Sequence, residues 1–453
     1  MHRVLAALLT LALASAQGEA PRAPNFLVLV TDDHPHDALG CAGHPVLRTP
    51  HMDSLAARGT RFTHGFATTP ICAASRATLL TGAYERRHGY TFQAPPLTVE
   101  VARATYPALL RSAGYRVGFV GKLGVQLQPG AREVMFDSFV AGVLPYLPAA
   151  APADGAPRRH LTERNTDAAL EFLRAHDGRP FCLSLWFQAP HADDNHPAQY
   201  IWPEACDGLY EEAPIPPADT SDPAFFASQP EFLRTGLNRE RWYWRFDTPE
   251  KRTQMVRGYY RMLSGVDLAI GRLLAALTEL ELDDNTVVIL IGDNGYFLGE
   301  RGWAGKWTMH DRSIRVPLIV FDPRVAAKHA GRIVAAPALN ADIAATLLEL
   351  AGVTAPVANQ GQSLRPWLTS DPAEWRTEVF TEHLWPHPKI PRTEGLRRDG
   401  WKYIRYLDHP EFEELYDLAS DPREEHNLAR DPAHADRLAT LSKRCTAAAE
   451  AAR

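Results

Sequence analysis

Two pairs of hard oxygen donors close apolar runs far apart in the chain: Asp32-Asp33 after NFLVLVT, and Asp293-Asn294 after TVVILIG. Carboxylates gathered at one site repel, so a divalent cation is their natural counterion. An all-oxygen set favours Ca2+ or Mg2+ over zinc. Asp and Asn also favour turns and caps, so one pair alone would be equally at home ending a strand. The metal reading rests on both pairs falling at corresponding strand ends, where α/β folds gather ligands. Between them, the segment TTPICAASRATLLTG (68–82) puts Cys72 just ahead of a helical pattern, with Arg76 one turn on. That is an electropositive setting for a nucleophile facing an anion. A Cys-His thiol hydrolase would need a general base and no carboxylate-bound metal. The chain has only seven lysines, which sets apart Lys122 at the end of GYRVGFVGK and Lys306 in GWAGKWTMHD. Each can hold an anionic substrate as a mobile point charge and stabilise or protonate a leaving oxygen. His191, after another apolar run, is a candidate general acid or anion donor, with a satisfied structural histidine as the plain alternative. The combined chemistry is metal-assisted attack on an anionic ester, with the nucleophile at position 72.

The elements that must bring these residues together follow a repeated order. TYPALLRSAGYRVGFVGK reads as helix, glycine stop and strand, and NTDAALEFLRAHDGRPFCLSLWFQAPH repeats the theme up to Pro190-His191. GVDLAIGRLLAALTELELDDNTVVILIGDNG is the clearest copy, turning at Asp284-Asn285. A short helix stopped at Gly59 and a helix from Ser75 to about Gly82 complete the first part. Helices alternating with continuously apolar strands predict an α/β fold with a large, mostly parallel mixed sheet sandwiched by helices. Residues 193–248 are rich in Pro, Asp and aromatics without a period, and read as an insertion near the site mouth. Its run RWYWRF (241–246) suits stacking on sugar rings or, equally, a core. After Gly361 the pattern changes to a small antiparallel sheet and a terminal helix from about Pro432. The expected organisation is a signal segment over 1–16, a catalytic domain over 24–360 and a C-terminal subdomain over 361–453.

A net charge of −6 over 453 residues gives no sign of a nucleic-acid partner. Arg3, the apolar run Val4–Leu13 and the small residues Ala14-Ser15-Ala16 read as a cleaved secretory signal, too short to span a bilayer. The mature chain is expected to be exported, periplasmic or secreted, with no membrane span. Five cysteines (41, 72, 182, 206 and 445) are an odd set, flagging one thiol with a separate fate. Cys182 and Cys206 are close enough in sequence to pair.

The chain resembles the sulfatase family of the alkaline-phosphatase-like superfamily over nearly its whole mature length. Cys72-Ala73-Ala74-Ser75-Arg76 and Leu80-Thr81-Gly82 fit that family's signature, and NFLVLVTDD, TPHMDSLAARGTRF, GDNG, GKWT, RVPLIV and ELYDLASDPREEHNLA follow in its order. The resemblance implies a sulfuric ester hydrolase in which a maturase converts Cys72 to Cα-formylglycine, whose hydrate is the nucleophile. It implies calcium held by Asp32, Asp33, Asp293, Asn294 and residue 72. Arg76 would orient the formylglycine, and Lys122, His191 and Lys306 would bind sulfate and serve the leaving group. Two positions depart from the pattern. The family often has Lys-x-His where this chain has Lys122-Leu123-Gly124, leaving His88 or His310 as candidate substrate-binding replacements. The third signature position is Ala74 rather than proline, a form like that of substrates of an anaerobic-type maturase. A sulfated carbohydrate is the expected substrate, ahead of small aryl or alkyl sulfates. The alternatives are a phosphodiesterase or phosphonate monoester hydrolase of the same superfamily, and a catalytically silent binder of sulfated glycans.

Overall fold

The computed structural model describes residues 22–92, 94–149 and 158–453, so the expected signal segment lies outside the described residues. Eight strands form the main sheet, in the order Arg332–Val334, Thr60–Phe62, Leu318–Phe321, Thr286–Gly292, Asn25–Thr31, Phe181–Trp186, Arg116–Gly121, Ser138–Ala141. From Thr286–Gly292 to Ser138–Ala141 every pair is parallel, whereas Leu318–Phe321 runs antiparallel to both its neighbours. The mixed sheet expected from the sequence is present.

Strand periodicity explains why both faces are covered. Successive side chains of a strand point to opposite faces, and Leu27 and Leu29 join one apolar core while Phe26, Val28 and Val30 join the other. Leu183 and Leu185 repeat the first pattern, Val287, Ile289 and Ile291 the second. The 31-residue helix Pro249–Glu279 covers the first face with Leu161–Arg174, its buried side including Tyr259, Met262, Leu263, Val266 and Ile270. The Cys72 helix, Cys72–Thr81, is buried along its whole length on the other side.

The C-terminal sheet is antiparallel in sequence order: Glu378–His383, Thr393–Arg398, Trp401–Tyr406, Glu413–Asp417. Phe380, Leu396, Tyr403 and Leu415 pack beneath helix Ala435–Ala451 through Leu441, Cys445 and Ala449. The opposite face, Val379, Ile404, Tyr406 and Tyr416, packs on Phe66, Trp303, Met309 and Ile314 of the main body. Lys402, 1% exposed, reinforces that junction by pairing with Asp311 and Glu424.

Three expectations change in detail. The Cys72 helix starts at Cys72 rather than Ser75, so the cysteine occupies its first turn. The aperiodic insertion contains short helices, Pro223–Ser228, Glu231–Arg234 and Leu237–Arg245. All five cysteines are free. Cys182 is in register between Phe26 and Val117 in mid-sheet, while Cys206 ends the one-turn helix Glu204–Cys206, which packs on the helix Pro249–Glu279 near Gly265, and this keeps the two thiols apart.

Candidate active site

Because the strands Thr286–Gly292, Asn25–Thr31, Phe181–Trp186 and Arg116–Gly121 are parallel neighbours, their carboxyl ends share one edge of the sheet. Thr31 is in register with Gly292, and Gly121 with Trp186, so Asp32 emerges beside Asp293 and Lys122 beside Phe187. The backbone ties these ends together: Asp293 N donates to Thr31 O (2.9 Å), Asp32 N to Ala189 O (3.3 Å) and Lys122 N to Trp186 O (2.8 Å). Asp33 has φ 58°, a left-handed conformation unusual for a non-glycine residue and typical of functional sites.

Arg76 organises the cluster from the second turn of the Cys72 helix. It is fully buried, and its Nε donates to Asp293 Oδ2 (2.7 Å) while Nη2 donates to Asp32 Oδ2 and Phe187 O (both 3.2 Å). Nη1 donates to Lys122 O. One planar fork thus links three strand ends, a role no other side chain's geometry provides. The preceding residue, Ser75, donates its hydroxyl to Asp293 O and accepts from Asn340 Nδ2 (2.9 Å). Lys122 Nζ pairs with Asp32 Oδ2 and Lys306 Nζ with Asp33 Oδ1. The Cys72 side chain, in a residue 7% exposed, lies within electrostatic reach of Arg76, Lys122 and Lys306.

Burial alone would raise the pKa of Asp32, but Lys122, His191, Lys306 and Arg76 hold its carboxyl well below the usual range. Burial and the charge of Asp32 push Asp293 the other way, up to about 6. Lys122 and Lys306 stay charged, since the carboxylates outweigh the desolvation that would lower them. His191 is lowered by burial against the pull of Asp33 and Asp32. Its Nδ1 is 2.6 Å from Ala192 O, which assigns the proton to Nδ1 and leaves Nε2 facing Asp33 Oδ2 at 3.8 Å.

The donor set fits a hard divalent cation. Asp32 Oδ1 and Asn294 Oδ1 are buried without a hydrogen-bond partner, and Lys306 Nζ approaches the former only to 3.6 Å. Unspent buried acceptors are costly, and a cation between the strand ends would satisfy both. Asn294 Nδ2 donates to Asp33 Oδ1 (2.7 Å) and Gly295 O (2.9 Å), which fixes the amide orientation that leaves its oxygen unpaired. Asp32, Asp33 and His191 also bring ligand atoms within 4.8 Å of one another. Three carboxylates already face three cationic side chains, so a divalent ion would leave the site net positive and suited to an anion.

The structure therefore brings Asp32, Asp33, Cys72, Arg76, Lys122, His191, Asp293, Asn294 and Lys306 to one place. It does not bring His88 or His310 there. His88 is held by Thr78 Oγ1 (3.2 Å) and by the backbone N–H of Tyr90 (3.1 Å). His310 is wholly buried, its nitrogens taken by Thr308 Oγ1 (3.0 Å) and Glu414 Oε2 (2.8 Å) at the junction with the C-terminal sheet. Nor does the fold leave room for a side chain at 124: Gly124 has φ 71°, and a Cβ there would stand 3.0 Å from Arg76 Cδ. Three supporting residues escaped the sequence reading. Tyr259 Oη donates to Asp33 O (2.6 Å), Tyr146 Oη to the carbonyls of Gln188 (3.1 Å) and His191, and Asn238 Nδ2 to Lys306 O (2.8 Å). Only Asn238 carried any signal, through its place in the insertion.

Comparison with known proteins bears on this arrangement. The profile of the family described as Sulfatase matches residues 24–353, and that described as N-sulphoglucosamine sulphohydrolase, C-terminal, matches 299–451. The chain is 29% identical to an N-acetylglucosamine-6-O-sulfatase of Bacteroides thetaiotaomicron, over 94% of this chain and 86% of that protein. It is 25% identical to an arylsulfatase of Clostridium perfringens, over 93% of each. A solved structure of a protein in complex with its substrate D-glucosamine-2-N,6-O-disulfate superposes with a TM-score of 0.80 at 25% identity, covering 95% of this chain and 98% of that one. A phosphonate monoester hydrolase of Agrobacterium radiobacter, 24% identical and also at 0.80 over 95% and 96%, shares the fold. With a family profile spanning most of its length and the site residues converging at one sheet edge, the chain belongs to the sulfatase family and is a sulfuric ester hydrolase.

Proposed function

We propose that this enzyme is exported and removes a sulfate ester from a carbohydrate, using formylglycine made from Cys72 by a maturase and a calcium ion. The observation that carries this reading is the position of Cys72, buried in the first turn of its helix among three cationic side chains. When present, formylglycine supplies a hydrated aldehyde whose two hydroxyls can attack sulfur and then release sulfate, and calcium supplies the positive charge that acidifies the attacking hydroxyl. Asp32, Asp33, Asp293 and Asn294 would hold the metal together with residue 72, and Arg76 fixes residue 72 against the carboxylates. Lys122 and Lys306 bind the sulfate oxygens, and His191, once Nε2 takes up a proton, can donate it to the leaving oxygen. The catalytic unit is assigned to residues 24–360 and the C-terminal subdomain to 361–453.

A carbohydrate is favoured because the relative from Bacteroides thetaiotaomicron is named for a sulfated amino sugar, and the superposed structure holds one. Export rests on the N-terminal signal pattern, and among the described residues no helix is long and apolar enough to cross a membrane. The decisive experiment incubates enzyme from a maturation-competent host with defined sulfated saccharides and reads the loss of sulfate by mass. Peptide mass analysis of the Cys72 segment accompanies it. Release from at least one saccharide, with thiol-to-aldehyde conversion at 72, is expected. Activity confined to aryl or choline sulfates would overturn the carbohydrate assignment, and full activity of the thiol form would overturn the formylglycine assignment. A sulfate ester should also exceed a phosphodiester in kcat/KM.

A further inference from the structure

The insertion helix Leu237–Arg245 forms a wall of the site. Asn238 holds the Lys306 carbonyl, and the Arg241 guanidinium lies 5.0 Å from the centre of the Trp307 ring. Trp307 itself has φ 80° and donates its N–H to Pro70 O (3.2 Å), two residues before Cys72. From the other side comes the loop that carries His191. Its Asp194 carboxylate takes Arg241 Nη2 at 2.5 Å and also pairs with Arg245, and it feels the charge of His191. Around a centre that is otherwise buried, Arg241 keeps 13% of its side-chain surface exposed and Asp194 26%, beside Lys122 at 14% and His191 at 16%. Arg245, at 0%, is a buried support rather than a contact.

The aromatic residues of this helix already carry arginines against their rings. Arg239 lies over Trp242 at 3.7 Å and Tyr243 at 4.6 Å, and Arg241 and Arg245 flank Trp244 at 6.0 and 5.7 Å. What the rim offers is a carboxylate next to a guanidinium. Asp194 offsets Arg241 in a close ion pair, with Arg245 buried behind it, so the pair suits a neutral group that both donates and accepts, which is what adjacent sugar hydroxyls do. A second anion would gain little there.

Resting on the carbohydrate reading above, we propose that Arg241 and Asp194 form the subsite that reads hydroxyl groups of the sugar ring bearing the sulfate ester. Arg241 donates to one hydroxyl and Asp194 accepts from its neighbour. Because Arg245 keeps Asp194 paired, Arg241→Ala strands no buried carboxylate and the fold should survive it.

The test compares parent and Arg241→Ala enzyme, each normalised to its formylglycine content, on a sulfated saccharide that the parent cleaves. Inhibition by inorganic sulfate, which occupies only the sulfate pocket, is measured alongside. The expected result is a fall in saccharide kcat/KM of about 10- to 100-fold, carried mainly by KM, the range for a lost hydrogen bond to a charged group. The inhibition constant for sulfate should stay within about twofold, since the variant leaves the sulfate-binding side chains in place. Among monodeoxy versions of the substrate, the parent should discriminate against one that the variant accepts as readily as the intact sugar. Parallel losses in sulfate affinity and saccharide turnover would mean that Arg241 merely supports Trp307 and Lys306, and would overturn the assignment, as would unchanged kcat/KM. A parent that cleaves aryl sulfates and no saccharide overturns the carbohydrate reading itself, and the assignment with it. That failure is visible before any variant is made.

Discussion

Arg76 does the most with a single side chain: four hydrogen bonds from one buried guanidinium to two carboxylates and two carbonyls. Arg76→Ala should destabilise the protein by about 3–5 kcal/mol, the usual consequence of leaving a buried charge without its partner. Arg76→Lys should recover part of that stability and little activity, because an ammonium cannot span the same acceptors. Urea denaturation and sulfate release on the same preparations check both outcomes. Cys72→Ala is the contrasting case: a small residue fits the packed first turn, so the melting temperature should hold while turnover disappears. At this scale the sequence was informative wherever a residue's place followed from strand topology. Asp32, Asp33, Lys122, Asp293 and Asn294 end parallel strands, and parallel strands end together. Tyr259, which holds the Asp33 carbonyl across 226 residues of sequence, left no local trace. His310 misled because a histidine near Lys306 in sequence turns toward Glu414, on another sheet.

Elements position these residues through their ends. The strand Arg116–Gly121 finishes on Gly121, with φ 108° and no space beside it: a Cβ would stand 2.0 Å from Trp186 O on the neighbouring strand. Only glycine takes that conformation without strain and permits that approach. Gly121→Ala should therefore push apart the two strands that carry Lys122 and lead into His191. The expected signature is a loss of sulfate affinity, read as a raised inhibition constant for inorganic sulfate, with a lowered melting temperature. Retention of both would show that the strand end tolerates a shift. The helix-strand repeats were legible because apolar runs of six or seven residues, set off by turn residues such as Gly, Pro and Asp, are characteristic of buried parallel strands. The insertion was not. Its helix Leu237–Arg245 is short and laden with arginine and tryptophan, and forms because it docks on the Lys306–Trp307 segment, a tertiary reason that propensity does not carry.

Across the whole molecule, the main body and C-terminal sheet share a junction in which ionisable groups are buried deeply enough to make stability depend on pH. Glu414, paired with His310, is held down at about 2 against the burial that would raise it. Its stabilisation is present above the ordinary carboxylate range and is lost only as pH falls toward 2, so it gives no slope near neutrality. His383 behaves differently. It is 0% exposed on the strand Glu378–His383, and burial, reinforced by His387, pushes it down to about 3. The folded state then keeps it neutral where the unfolded chain, with a pKa near 6.5, takes up a proton. Between those values the unfolded state binds more protons, so stability falls as pH drops below about 6.5, by up to about 1.4 kcal/mol per pH unit for this one group. Buried carboxylates raised in the fold, such as Asp267 at about 6, act with the opposite sign over part of the same window, so the parent's total slope does not isolate His383. The difference between parent and His383→Phe does. On lowering the pH from 7.5 to 5.5, the parent should lose about 1 kcal/mol more unfolding free energy than the variant, measured by urea denaturation at each pH. Parallel curves would mean that the His383 ring gains its proton inside the folded sheet.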